Sequence, residues 1–289
     1  MDGPSKPNKL LWPAAGVSKQ DLWDYLAAVA DRMLPWFTDR PLTLLRHPEG
    51  IDGDGFFAKD LPSHAPSEIK RFEQRSDSGR VTSYMVPTRL SDLQWAGHMG
   101  TIEFHPGHAR VERIDRPDRF IIDIDPGDDP DVVIPACQWV HKTLNALEIE
   151  SLVKTSGKRG LHVMVQVERR YSFEELRDFG HGIATATAAA HPNELTTRMR
   201  KKDRGGRLFL DWSRNGSWQT VVGPYSPRVH PDATVSAPLS WDEVTEDLEL
   251  TSFTMRTVPD RDDPWADPPE PQRIETARTA LTEHGFMPS

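Results

Sequence analysis

Hydrophobic and polar positions fall into blocks of two kinds along this chain, some with helical spacing and some with the two-residue period of a strand. The longest helical block follows Ser18-Lys-Gln-Asp21, a capping serine with an acid three positions on. Leu22, Leu26, Val29 and Met33 repeat at helical spacing, and Pro35 is expected to stop the helix at Leu34. Pro41 to Arg46 reads as a strand, Gly50 to Gly55 as a tight connection, and Ser63 to Gly79 as polar loop. Val81 to Val86 reads as a short strand, followed by a helix capped by Ser91 that carries Leu93, Trp95 and Met99. Thr101 to His105 is a strand with Glu103 and His105 on one face. The apolar run from Phe120 leads to Asp123 and Asp125, and Pro135 suits the first turn of a helix reaching about Leu147. Lys154 to Val167 forms a strand, turn, strand unit, and Ser172 to Ala190 an alanine-rich helix. Gly206 to Trp212 is a further strand, and Trp241 to Leu250 a short acidic helix. Residues 260–271, rich in proline and acid, read as an extended strap. A last amphipathic segment, Arg273 to His284, turns Ile274, Ala277 and Leu281 inward.

Composition narrows the class. With 289 residues, 37% of them hydrophobic and 27% charged, the chain suffices for one large domain or two small ones. No apolar run approaches the roughly 20 residues that span a bilayer. Met1-Asp-Gly-Pro-Ser-Lys-Pro lacks a signal-like apolar segment, so a cytoplasmic location and no membrane partner are expected. The single Cys137 cannot form an internal disulfide. The one close histidine group, His98, His105 and His108, reads as core with polar edges. The net charge of −9 argues against a nucleic-acid partner until its distribution is considered. From Leu239 onward twelve acids face four arginines, which leaves the first 238 residues close to neutral. Arg198, Arg200, Lys201, Lys202, Arg204, Arg207 and Arg214 form a basic segment against only Asp203 and Asp211.

Four stretches carry candidate chemistry. Asp123 and Asp125, separated by one isoleucine, share a face at a strand end, where paired carboxylates without cysteine suit Mg²⁺ or Mn²⁺. An acid-rich loop after a strand is the other reading. Thr155-Ser-Gly-Lys-Arg-Gly-Leu-His162 pairs two glycines, which let backbone approach an anion, with the charges of Lys158 and Arg159 and the Ser156 hydroxyl. It is no P-loop, since no GK[ST] opens a helix. Lys9 and Lys19 lie near a helix start whose free amides could join them in an anion site, the alternative being solvated lysines. Phe56 and Phe57 cannot both face one core, so stacking on bases beside Lys59 stands against packing under a loop. The Gly50 to Gly55 connection mimics a calcium loop, but Ser63 replaces the glutamate such a loop needs.

Three elements taken together, Asp123-Ile-Asp125, Ser156-Gly-Lys-Arg-Gly-Leu-His162 and Leu208-Phe-Leu-Asp-Trp-Ser213, resemble the archaeo-eukaryotic primase superfamily. More closely, from about Lys6 to about Val258, they resemble the polymerase domain of bacterial ligase D and its stand-alone relatives in end joining and gap repair. The resemblance implies an α+β fold: a primase-polymerase core of mixed and antiparallel sheets, with an RRM-like catalytic subdomain flanked by helices. It implies a catalytic domain over 1–258, with a DNA-binding part to about 110 and a palm over about 111–258, then the strap and helix of 259–289. Asp123, Asp125 and Asp211 match the catalytic metal carboxylates of a two-metal Mn²⁺ or Mg²⁺ site. Ser156, Arg159 and His162 match the triphosphate-binding turn, in which Gly157 and Lys158 also lie as nucleotide-binding candidates, and His105 and Arg228 match further nucleotide contacts. Lys9 and Lys19 match lysines that hold a 5′-phosphate across a gap, with Lys6 beside them. Phe56, Phe57 and Lys59 match template-stacking and downstream-strand positions, and Arg204 and Arg214 lie in the basic segment expected to meet DNA. This chain departs from the family pattern with Lys6 for an asparagine, Lys158 for a small residue and Arg214 for a glutamine.

The expected activity is template-dependent nucleotidyl transfer, extending a primer 3′ end at gaps or broken ends in DNA repair with a preference for ribonucleotides. The expected partners are gapped or broken DNA with a 5′-phosphate, NTP or dNTP, a DNA ligase and a Ku-like end-binding protein. Stand-alone gap filling or priming is the alternative within the class. A metal-dependent nuclease on the same carboxylates and a non-catalytic module that holds DNA ends are the alternatives outside it. A phosphate-gripping turn disfavours the nuclease, because hydrolysis needs no triphosphate pocket.

Overall fold

A computed structural model of the chain describes residues 3–76 and 78–288. Met1, Asp2 and Ser289, which bound the predicted domains, and Asp77 of the predicted loop lie outside the described residues. The chain divides into two units. Unit 1 holds residues 1–112, 220–237 and 251–263, and unit 2 holds 113–219, 238–250 and 264–289.

Unit 1 begins with a short hairpin, β1 (Leu10–Trp12) and β2 (Val17–Ser18), that runs into α1 (Lys19–Phe37). Ser18 and Asp21 form the reciprocal capping box that their spacing predicts. Pro35 does not stop this helix. It sits in the last turn, and α1 reaches Phe37 because Trp36 and Phe37 are anchored in the core while the Thr38 amide still donates to Leu34. A five-stranded sheet follows, built from β3 (Leu42–Arg46), β4 (Phe56–Ala58), β5 (Arg71–Arg75), β6 (Val81–Met85) and, after α2 (Leu90–His98), β7 (Thr101–Pro106). β5 corrects the reading of residues 63–79 as loop. Its Arg-Phe-Glu-Gln-Arg sequence shows no apolar alternation because the strand lies at a sheet edge with neither face deeply buried. Ser91 is likewise inside α2 and not its cap. The cap residue is Arg89, and the buried Asp92 carboxylate takes the Thr88 amide and the Arg89 guanidinium.

Unit 2 is a six-stranded sheet whose strands are β8 (Arg119–Ile124), β9 (Leu152–Thr155), β10 (Leu161–Gln166), β11 (Leu195–Thr196), β12 (Leu208–Asp211) and β13 (Pro238–Leu239). They lie in the order β11-β12-β8-β10-β9-β13 and are antiparallel except for β11 with β12. Helices α3 (Val133–Ala146) and α4 (Phe173–Ala190) pack on it, and α5 (Glu275–Glu283) packs on α4. Phe120, Ile122 and Ile124 are fully buried, with Phe120 edge-on to Phe179 of α4 at 5.2 Å. Burial of each such side chain contributes about 1.5–3 kcal/mol. Alternation then sends Asp123 to the face away from α4. Ile274, Ala277 and Leu281 are buried as their spacing predicts, and Cys137 is buried in α3, where burial pushes its thiol up. Trp241 to Leu250 is not a helix. Trp241–Glu243 forms one tight turn and Thr245 to Leu248 another, and the Val244 carbonyl between them accepts from Gln138 of α3. Among the described residues no helix is long and apolar enough to cross a membrane.

Candidate active site

The register of unit 2 lines up one polar row across four strands. Asp211 of β12 lies opposite Asp123 of β8, Asp123 opposite His162 of β10, and His162 opposite Lys154 of β9. Cross-strand partners have side chains close enough to interact. The Lys154 ammonium, 1% exposed, lies 2.8 Å from His162 Nδ1, and His162 Nε2 lies 3.2 Å from Asp123 Oδ1. An ammonium only donates, so Nδ1 accepts and the ring proton sits on Nε2, facing the carboxylate. Asp211 has its own fixed donors: its Oδ1 accepts the Ser213 amide at 2.9 Å and the Ser213 hydroxyl at 2.5 Å.

Asp123 Oδ1 therefore faces His162, Asp211 Oδ1 is held by Ser213, and both Oδ2 atoms converge on Arg214. Its Nε lies 3.1 Å from Asp211 Oδ2 and 3.7 Å from Asp123 Oδ2. Asn215 pins the turn that carries the arginine, accepting the Ile121 amide at 2.7 Å and donating to the Ile121 carbonyl at 2.7 Å. Two convergent carboxylate oxygens already holding one positive charge fit a hard divalent cation, and no sulfur donor competes. Among the described residues no three acids or histidines are gathered as a ready ligand set. Asp125 stands exposed one residue past β8.

The glycine turn comes directly beside these acids. An added Cβ at Gly160 would lie 2.5 Å from the Ile124 carbonyl oxygen and 2.6 Å from Asp125 Oδ1, so only glycine permits this approach. Gly157 takes φ +71°, a conformation that costs glycine little. The Ser156 hydroxyl accepts from the amides of Lys158 at 3.3 Å and Gly160 at 3.1 Å, which draws both amides inward. Arg159 is exposed and Lys158 half-buried.

Unit 1 carries a second charged assembly. Glu103 of β7, 2% exposed, meets His105 Nε2 at 2.9 Å through Oε2. Its Oε1 meets the Arg228 guanidinium at 3.1 Å and accepts the Val229 amide at 3.0 Å. Burial alone would raise the Glu103 carboxyl, but the His105 hydrogen bond, the Arg228 charge and the Val229 amide outweigh it and hold it at about 2. Phe57 lies edge-on to His105 at 5.7 Å. Phe56 and Phe57 are 49% and 62% exposed on β4, with the Arg46 guanidinium 5.3 Å from the Phe56 ring centre and Lys59 exposed beyond. At the start of α1, Lys9 pairs with Glu49 at 2.7 Å, and burial together with the charges of Lys9 and Lys6 lowers the Lys19 ammonium. Arg204 of the basic segment is half-buried, with its guanidinium over the Phe209 ring at 4.3 Å.

Sequence reading missed Lys154 and Asn215 and noted Glu103 only as a neighbour of His105. The signal for Lys154 and Glu103 was a single charge inside an otherwise apolar strand. Of the histidine trio, His105 bonds Glu103 and His98 accepts the Ser5 amide, so two of the three are turned to separate partners.

Fold and site together define a class, an α+β primase-polymerase. The family described as the LigD primase-polymerase domain matches residues 18–268, and the chain belongs to it. The multifunctional non-homologous end joining protein LigD of Mycolicibacterium smegmatis is 34% identical over 268 residues, covering 91% of this chain and 35% of the relative. The protein of the same description from Pseudomonas aeruginosa is 32% identical over 273 residues, covering 91% and 32%. The chain thus spans about a third of the length of these relatives. Among solved structures, the polymerase domain of Mycobacterium tuberculosis ligase D in complex with DNA matches with a TM-score of 0.83 at 28% identity, covering 90% of this chain and 93% of that one.

Proposed function

We propose that this chain is a DNA-directed nucleotidyltransferase that extends a primer 3′ end at gaps or broken ends of DNA, in the manner of end joining. The observation that carries this reading is the convergence of the Asp123 and Asp211 carboxylates beside a glycine turn that abuts Asp125. A nuclease would need the acids without the turn, and an end-holding module would need neither.

Asp123, Asp125 and Asp211 are the residues to hold Mn²⁺ or Mg²⁺. Such cations, when bound, activate a 3′-hydroxyl and neutralise a triphosphate. The chain's own groups do the rest. Lys154 and His162 stand behind Asp123, while the turn of Ser156, Gly157, Lys158 and Arg159 offers a hydroxyl and positive charge to phosphates. On unit 1, His105 and Arg228 are assigned to the incoming NTP or dNTP, oriented by Glu103. Phe56, Phe57 and Lys59 are assigned to the template and downstream strand, Lys6, Lys9 and Lys19 to a 5′-phosphate, and Arg204 to the DNA backbone. A DNA ligase and a Ku-like end-binding protein are the expected partners. A polar pocket at Ser156 that engages a 2′-hydroxyl would favour ribonucleotides, since a site built for a hydroxyl discriminates against its absence.

Extension of a labelled primer on gapped, nicked and unprimed DNA with Mn²⁺ tests the reading, with NTP and dNTP in parallel. Longer product on gapped DNA is expected, and faster with NTP. Shortened product would point to a nuclease. Binding without any product change would point to an end-holding module.

A further inference from the structure

The role of Arg214 follows from how the two carboxylates divide their oxygens. Asp123 Oδ1 faces His162 and Asp211 Oδ1 is held by Ser213, so the two Oδ2 atoms are left to share one guanidinium. The backbone beneath that guanidinium is fixed by Asn215, yet the Arg214 side chain is 45% exposed. A long flexible side chain on a rigid turn can leave without any backbone movement. It is also a monovalent cation whose two ion pairs, at 3.1 and 3.7 Å, are open to solvent on the arginine side, and solvent-screened pairs are individually weak.

Resting on the reading of these acids as metal ligands, we propose that Arg214 is an internal counter-cation. It neutralises the Asp123 and Asp211 pair until a divalent cation binds, and is then released to a phosphate of the bound nucleic acid or of the triphosphate. Without it, two carboxylates in one row would repel each other across the β8 and β12 pair. With it, the acids are held close and mutually oriented before any divalent cation arrives, at the expense of affinity for that cation. The exchange replaces a single positive charge on the acids with a double one and delivers the arginine to where negative charge has just been introduced. Arrival of phosphate and loading of the cation become thermodynamically coupled, and coupling of this kind is reciprocal.

The test is direct titration of Mn²⁺ by electron paramagnetic resonance on the full chain, without turnover. It compares wild type, Arg214→Gln, Arg214→Lys and the double variant Asp123→Asn with Asp211→Asn, all checked for an unchanged circular dichroism spectrum. Arg214→Gln should bind Mn²⁺ roughly fivefold more tightly than wild type, the upper size of a solvent-screened ion pair. Arg214→Lys should stay within about twofold of wild type, since the charge is kept. Repeating the titration with a non-hydrolysable triphosphate, and separately with gapped DNA, should tighten Mn²⁺ binding more in wild type than in Arg214→Gln. The arm with the larger difference names the phosphate that receives the arginine. Equal or weaker Mn²⁺ binding by Arg214→Gln, tightening by Arg214→Lys equal to that of glutamine, or identical gains in both arms for both proteins would overturn the inference. The proposed function would still stand if the double asparagine variant lost Mn²⁺ binding. If that variant binds Mn²⁺ as wild type does, the metal reading of these acids falls and this inference with it.

Discussion

Each unit sets a carboxylate between a histidine and an arginine, yet the two assemblies differ in how firmly their cations are held. Around Glu103 both carboxylate oxygens meet partners fixed by strand and backbone, and Arg228 is only 12% exposed. Around Asp123 and Asp211 the fixed partners take one oxygen of each acid, and the other oxygens face an arginine that is nearly half exposed. A closed network of buried charge orients its members and resists exchange. An open one holds its cation loosely enough to trade it. The first arrangement suits presentation of His105 and Arg228 in one geometry, and the second suits a site that must load and release ions.

The largest expected effect breaks the open network. Asp123→Ala or Asp125→Ala should abolish primer extension while DNA affinity, measured by fluorescence anisotropy, changes little. Asp211→Ala should leave at most traces of activity. Surviving synthesis in Asp123→Ala would remove the carboxylates from the chemistry.

Breaking the closed network should instead cost stability. Glu103→Ala leaves the buried charge of Arg228 without its carboxylate, a loss of about 3–5 kcal/mol in urea unfolding. The same network predicts an acid limb. Glu103 is held at about 2 against an ordinary 4.5, so its contribution is complete above pH 4.5 and is lost as pH falls through about 2. Glu103→Gln should flatten the fall in stability over that window. Unchanged acid unfolding in Glu103→Gln would show that the network contributes little.

Smaller effects sharpen the contrast on the surface of unit 1. Base stacking contributes roughly 1–3 kcal/mol per aromatic, so Phe57→Ala should weaken gapped-DNA binding about tenfold. Its 62% exposure separates that loss from unfolding, and a fall in melting temperature without loss of affinity would make the ring structural. The smallest effect concerns Lys9 and Lys19. A 5′-phosphate at the gap should tighten binding, and Lys9→Ala with Lys19→Ala should flatten the dependence of log affinity on log salt by about one unit per lysine. No difference between phosphorylated and unphosphorylated gaps in wild type would move these lysines to the solvated surface.

Strand alternation is local, and that made several features legible. The shared face of Glu103 and His105, the run of buried isoleucines beneath the acids and the turn between β9 and β10 were all readable from periods of two. The capping box of Ser18 and Asp21 was readable for the same reason, since donor and acceptor lie three residues apart. Edge strand β5 was not, because without a buried face it has no apolar alternation to show. Trp241 to Leu250 reads as a helix in sequence but forms separate short turns, and the Val244 carbonyl between them meets a side chain from α3, more than a hundred residues earlier.

By itself the sequence determined which residues could carry chemistry: the Asp123 and Asp125 pair, the glycine turn, the basic segment around Arg204 and Arg214, and the aromatic pair before Lys59. Only the tertiary structure decided their partners. Asp211 joined Asp123 through the pairing of β12 with β8, and Lys154 came behind His162 through the register of β9 with β10. A shift of one residue in either register would have turned these side chains to opposite faces. Register depends on how all six strands pack at once, and no stretch of sequence contains that information alone.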